Sequence, residues 1–182
     1  MKKIALVLMI LCSISLCAQN SSSNENVKSI EIGDMFRELI VPDSNDVKVK
    51  LSDYCGKGYY TLLEFGVTWC GPCKKDVPIL KGVYDKYHPH GLNLISVFLD
   101  EEKDAWKRYI KKNAINWIHL CDLKGGKHSQ AVEVYGIKTV PFYLIINPQG
   151  KVVYKKIGGL KPIGRLSSDN TLEPKLKELY GF

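Results

Sequence analysis

The chain has 182 residues, 45% hydrophobic and 25% charged, enough apolar material for one well-filled domain and unlike a disordered or fibrous composition. The formal net charge is +7, but the basic residues are scattered in pairs such as Lys74-Lys75, Lys107-Arg108 and Lys111-Lys112. No long basic block is interleaved with aromatics, so nucleic acid is not an expected partner.

Lys2 and Lys3 precede an apolar run, Ile4 to Leu16, which ends at Cys17-Ala18-Gln19. A short basic start, an apolar stretch and a small residue read as a secretory signal over residues 1–18. The run is shorter than the roughly 20 residues that span a bilayer. Cleavage after Ala18 is one outcome. Lipoprotein processing at Cys17 is another, since Ile14-Ser15-Leu16-Cys17 resembles a lipobox, with a bulky Leu16 where a small residue is usual. The polar residues 19–29 then read as a tether, and 30–182 as the domain. An exported chain meets an oxidising compartment, yet the four cysteines of the body (Cys55, Cys70, Cys73 and Cys121) are too few to build a scaffold of this size.

Ile30 to Leu51 holds two extended runs around Pro42-Asp43-Ser44-Asn45-Asp46, a strong turn signal, and predicts a β-hairpin. Tyr59 to Phe65 is nearly continuously apolar, as in a strand buried on both faces. From Pro72 the period changes: Val77, Leu80, Val83, Tyr84 and Tyr87 recur at helical spacing, with Pro78 inside and Pro89 and Gly91 at the end. Leu92 to Leu99 is the next buried strand. Glu102 to Asn113 is an amphipathic helix with Trp106, Tyr109 and Ile110 on one side. A short strand at Trp117 to Leu120 and a short helix at Ser129 to Tyr135 follow. Val140-Pro141 opens the strand Phe142 to Ile146, and Asn147-Pro148-Gln149-Gly150 turns it into Lys151 to Ile157. Thr171 to Tyr180 closes as a helix with Pro174 in its first turn. The order βββαβαβαββα indicates an α/β fold with a mixed central sheet flanked by helices.

The run Trp69-Cys70-Gly71-Pro72-Cys73 falls between the first buried strand and the first helix. Thiol–disulfide exchange needs a thiolate that attacks and a second thiol close enough to displace it. At a helix N-terminus, unpaired N–H groups and the helix dipole stabilise the thiolate. That predicts Cys70 as nucleophile and Cys73, one turn on, as the resolving thiol. A zinc site needs a second ligand pair; Cys55 and Cys121 are lone, and His88 and His90 are too closely spaced. Haem attachment needs His after Cys73, where Lys74 stands. No cofactor or metal is expected.

Trp69-Cys70-Gly71-Pro72-Cys73-Lys74, the helix residue Pro78 and the segment Thr139-Val140-Pro141 together resemble the thioredoxin family. More narrowly, the signal, the N-terminal hairpin, the Leu51-Ser52-Asp53-Tyr54 approach and Asn147-Pro148-Gln149-Gly150-Lys151 resemble the exported TlpA/ResA-like branch. The resemblance implies a thioredoxin fold with an insertion before a cis-proline strand. It departs at Gly66-Val67, where the family usually has an aromatic residue and Ala.

The resemblance further implies a cis Val140-Pro141 bond facing the disulfide, with Trp69, Gly71, Pro72, Val140 and Pro141 forming the substrate surface. Trp69 packed only into the core is the alternative for that residue. Glu64 sits where thioredoxins carry a buried acid, and is the expected acid/base for Cys73; an edge carboxylate facing solvent is the alternative. The Gly-Pro pair resembles the reducing members, which implies protein disulfide substrates and recharging by a membrane thiol–disulfide reductase. Cytochrome c maturation and disulfide repair are the roles this suggests. A dithiol oxidase, a non-catalytic thioredoxin-fold binding module and a thiol peroxidase are the competing functions. Cys55 and Cys121 either pair or stay buried as free thiols. His119 and His128 are expected as surface or partly buried polar residues.

Overall fold

The computed structural model describes residues 28–161 and 172–182. The expected signal, the site of lipidation at Cys17, most of the tether and Thr171 lie outside the described residues. Lys28 and Ser29 are already attached to the domain: Arg37 donates to Lys28 O (2.8 Å), and Lys155 donates to Ser29 Oγ (3.2 Å).

The hairpin is shorter than its sequence suggests. Only β1 (Ile40–Pro42) and β2 (Lys48–Lys50) pair, antiparallel. Their turn is held by Asp43 Oδ1, which accepts from the amides of Asn45 (2.8 Å) and Val47 (2.9 Å). The residues before β1 run instead along the far edge of the sheet, where Met35 bridges Lys151. Gly150 serves this contact. Its φ is +88°, and a Cβ there would come within 3.0 Å of Met35 Cε.

The main sheet contains β3 (Thr61–Gly66), β4 (Asn93–Phe98), β5 (Ile118–Cys121), β6 (Phe142–Ile146) and β7 (Val152–Ile157), in the order β5-β4-β3-β6-β7. The first three run parallel, and β6 and β7 are antiparallel additions. The mixed sheet and the element order agree with the α/β pattern read from periodicity.

Four helices complete the fold: α1 (Gly71–Tyr87), α2 (Lys103–Lys112), α3 (Gln130–Tyr135) and α4 (Leu172–Tyr180). Pro78 lies inside α1 without ending it. Leu62, Leu94, Tyr143 and Ile145 pack on one face of the sheet with Val77, Leu80 and Val83 of α1, Trp106 of α2 and Leu176 of α4. Leu63, Phe65, Ile95, Val97 and Leu144 pack on the other face with the hairpin and with Ala131 and Tyr135 of α3. Successive strand residues face opposite sides, so a strand this apolar serves both layers. No described helix is long and apolar enough to cross a membrane.

Candidate active site

The central strand β3 is buried along its whole length and ends at Gly66. A tight turn follows, closed by the Cys70 amide on Val67 O (3.1 Å). Asp100, just after β4, clasps this turn. Its carboxylate accepts from the Thr68 amide (3.0 Å) and the Thr68 hydroxyl (2.6 Å), and all of these groups are buried. Burial pushes the Asp100 carboxyl above its usual range, and the Thr68 bonds oppose that rise. Asp100→Ala would orphan two buried donors, so a loss of about 1–3 kcal/mol in denaturant unfolding is expected. An unchanged unfolding midpoint would show the clasp to be idle.

Cys70 is the N-cap of α1. Its Sγ accepts from the Cys73 amide at 3.2 Å, so the first sulfur sits on the unpaired N–H groups of the helix. Cys70 and Cys73 are joined as a disulfide, with Cα atoms 5.3 Å apart. Cys73, Asp76, Val77 and Leu80 fall at helical spacing on the buried stripe of α1, which is why Cys73 is covered (3% exposed) and Cys70 sits nearer the surface (8%). Gly71 and Pro72 are exposed beside them.

Trp69 is 73% exposed, so the alternative of pure core packing is overturned. With Val67, Leu99, Val132, Ile137 and Val140 it lines a groove of about 190 Å³, with Lys127 and Lys138 also in its wall. The Val140-Pro141 bond is cis, as the resemblance implies.

Glu64 lies in the middle of β3 and is 5% exposed, which overturns the solvent-facing alternative. A Cβ placed on Gly66 would stand 3.5 Å from Cys73 Sγ and 3.7 Å from Glu64 Oε1. The carboxylate and the second sulfur thus flank one point, and the departure at Gly66 leaves no side chain there. Burial pushes the Glu64 carboxyl up to about 7; a hydrogen bond from Ser96 opposes the rise, and the nearby Asp76 carboxylate adds to it.

Asp76 was not singled out by sequence. It is buried, accepts from Tyr143 Oη (2.6 Å) and the Leu160 amide (3.0 Å), and its carboxyl is raised by burial. One signal pointed to it: an acid three residues after Cys73 must share that cysteine's buried helix face.

The sheet register also aligns a row of polar side chains under α1. His119, Ser96, Glu64, Tyr143 and Lys156 are successive cross-strand partners from β5 to β7. His119 is half-buried with its Nδ1 2.7 Å from Trp117 O, and His128 is exposed.

Residues 32–155 match the AhpC/TSA family. The chain belongs to the AhpC/TSA family. Among relatives of this AhpC/TSA protein, "Thiol-disulfide oxidoreductase ResA" of Bacillus subtilis is 29% identical over 148 residues, 81% of this chain and 79% of that protein. The protein of the same name from Bacillus thuringiensis is 30% identical over 148 residues, covering 81% and 82%. Among solved structures, a thiol-disulfide oxidoreductase from Bacteroides fragilis superposes with a TM-score of 0.69 at 27% identity, covering 80% of this chain and 99% of the other. The fold is thioredoxin-like, and this AhpC/TSA protein is a thiol–disulfide oxidoreductase.

Cys55 and Cys121 are both free and buried, and they pack on opposite faces of the sheet. Pairing, left open by the sequence, does not occur. Burial pushes the Cys55 thiol up to about 12 and that of Cys121 up to about 11. After mild reduction of the AhpC/TSA protein, native iodoacetamide labelling at pH 8 should therefore modify Cys70 first and spare Cys55 and Cys121 until denaturant is added. Peptide mapping that finds Cys55 or Cys121 alkylated in the native protein would contradict this.

Proposed function

We propose that this oxidoreductase reduces disulfides in other exported proteins, with Cys70 as attacking and Cys73 as resolving thiol. The observation that carries the reading is the Cys70 sulfur on the N-terminus of α1, bonded to a covered Cys73 that shares its surroundings with Glu64. In the first step the Cys70 thiolate attacks a substrate disulfide. One Cys70–substrate bond forms, the substrate S–S bond breaks, and one substrate thiolate leaves. In the second step Glu64 takes the proton of Cys73, and the new thiolate attacks Cys70 Sγ. The mixed disulfide breaks, the second substrate thiol departs, and two electrons have passed from the enzyme dithiol to the substrate.

Trp69, Gly71, Pro72, Val140 and Pro141 form the surface on which the substrate segment lies. The exposed indole supplies apolar contact, and the backbone around the cis bond offers strand-like hydrogen bonds. The enzyme disulfide is recharged by a membrane thiol–disulfide reductase. The signal expected at residues 1–18, with or without a lipid on Cys17, would deliver the chain outside the cytoplasm, where cytochrome c maturation and disulfide repair need reduced thiols.

Cys73→Ala removes the resolving thiol, so mixed disulfides on Cys70 should accumulate in cells and name the substrates by mass spectrometry. Recovery of the same proteins from a Cys70→Ser/Cys73→Ala control would defeat the reading. The direction is tested separately. A potential of about −270 mV, the value of thioredoxin, is expected, whereas one above about −150 mV would make the chain an oxidase.

A further inference from the structure

Beneath Cys73 the carboxylate of Glu64 is held by a two-link chain of hydrogen bonds. The hydroxyl of Ser96, its register partner on β4, donates to Glu64 Oε2. The Ser96 oxygen in turn accepts from Trp117 Nε1–H at 2.8 Å. All three residues are buried. We propose that Ser96 and Trp117 are positioning residues for thiol exchange, the indole locking the serine hydroxyl into donation so that Glu64 is kept in its proton-accepting form. This rests on the reading of Glu64 as the base for Cys73.

The polarity of the chain follows from what each group can do. An indole N–H only donates, whereas a serine hydroxyl has one proton and two lone pairs. With a lone pair of Ser96 taken by Trp117, the serine proton is directed to the carboxylate. Both bonds then point toward Glu64, and each polarises the next. Donation to the ionised form favours it, which opposes the cost of burying a charge.

The other titratable groups around Glu64 do not supply this. Asp76 on α1 and Asp100 beside the turn are acids, and a like charge disfavours ionisation. Tyr143 on β6 donates its hydrogen bond to Asp76. Burial pushes Tyr109 on α2 and Tyr143 up, and the charge of Glu64 adds to both. Cys73 is the group to be deprotonated. His119, next to Ser96 in the row, has its Nδ1 engaged with Trp117 O. Lys156 stands at the far end of the row beyond Tyr143, and its charge lowers the carboxyl of Asp76.

The test follows the Glu64 carboxyl carbon by NMR across pH in the reduced full chain, assigned with Glu64→Gln. Ser96→Ala should move its midpoint up by about one unit, equivalent to about a tenfold weaker hold on the ionised form. Trp117→Phe keeps Ser96 but frees its hydroxyl, and should move the midpoint the same way by about half as much. Ser96→Thr, which retains the hydroxyl, should restore the parent midpoint. The Trp117 indole proton should titrate with the Glu64 midpoint in the parent and lose that step in Ser96→Ala. A Glu64 midpoint unmoved by Ser96→Ala, or an indole proton blind to Glu64, would overturn the proposal; a midpoint unmoved by Trp117→Phe alone would overturn the part given to Trp117. The pH profile of mixed-disulfide resolution is read in parallel. If the carboxyl midpoint moves and the profile stays put, the hydrogen-bond chain stands and the role of Glu64 as base falls.

Discussion

Cys70→Ser is expected to abolish disulfide reduction, by at least about a thousandfold in an insulin-reduction assay, because a serine hydroxyl stays protonated where a thiolate is the nucleophile. The loss has a specific geometric origin. Cys70 caps α1 and its sulfur accepts the Cys73 amide, so negative charge on that sulfur is met by a hydrogen bond and by the helix dipole. In the reduced protein the Cys70 thiol should therefore titrate below the ordinary value of about 8.5, with reactivity toward iodoacetamide saturating near neutrality. Cys73 is more deeply covered and lacks that position, so it should alkylate more slowly. Equal rates at the two sulfurs, or a Cys70 midpoint at the free-cysteine value, would remove the physical basis for calling Cys70 the nucleophile.

Glu64→Gln should have two consequences of opposite sign. The resolving step should slow by about a hundredfold at neutral pH, since the amide cannot take the Cys73 proton. Stopped-flow decay of a preformed mixed disulfide reads this directly. The same substitution should stabilise the fold at high pH. Burial disfavours the charge and pushes the carboxyl up to about 7 in the native state, from an ordinary 4.5 in the unfolded chain. Between those values the native state binds the extra proton, so wild-type stability falls as pH rises through the window and is level above it. At one pKa unit per about 1.4 kcal/mol, Glu64→Gln should gain as much as about 3 kcal/mol at pH 8 and nothing below pH 4.5. Asp100, also raised by burial, contributes alike to both proteins, while the repulsion between Asp76 and Glu64 is lost with the carboxylate and is part of the difference. Denaturant unfolding at pH 4 and pH 8 checks the sign: a variant less stable than wild type at pH 8 would mean that the ionised carboxylate supports the fold rather than straining it.

These two expected effects are linked. A carboxylate that is costly to keep ionised beneath Cys73 is also one whose proton affinity lies near that of the reaction medium, the condition for efficient proton transfer. The clasp of Asp100 on Thr68 plays a complementary part, fixing the turn from which Cys70 enters α1.

Much of this site was legible in the chain itself, because the properties concerned are local. Cys70 and Cys73 share a helix turn, and their place between a nearly continuous apolar strand and a 3.6-residue period puts the first sulfur at a helix N-terminus. The run Tyr59–Phe65 also marked Glu64 as a lone acid in a buried strand. Strand register was not legible, since it depends on crossovers rather than on neighbouring residues. Ser96 meets Glu64 across 32 residues of chain, Trp117 meets Ser96 across 21, and Tyr143 meets Asp76 across 67. Ser96 and Tyr143, taken alone, are unremarked polar residues in apolar runs. Only closure of the sheet in the order β5-β4-β3-β6-β7 sets Ser96, Glu64 and Tyr143 side by side in one row and separates Cys55 from Cys121. Local spacing sets which sulfurs stand side by side; long-range packing decides which polar groups surround them.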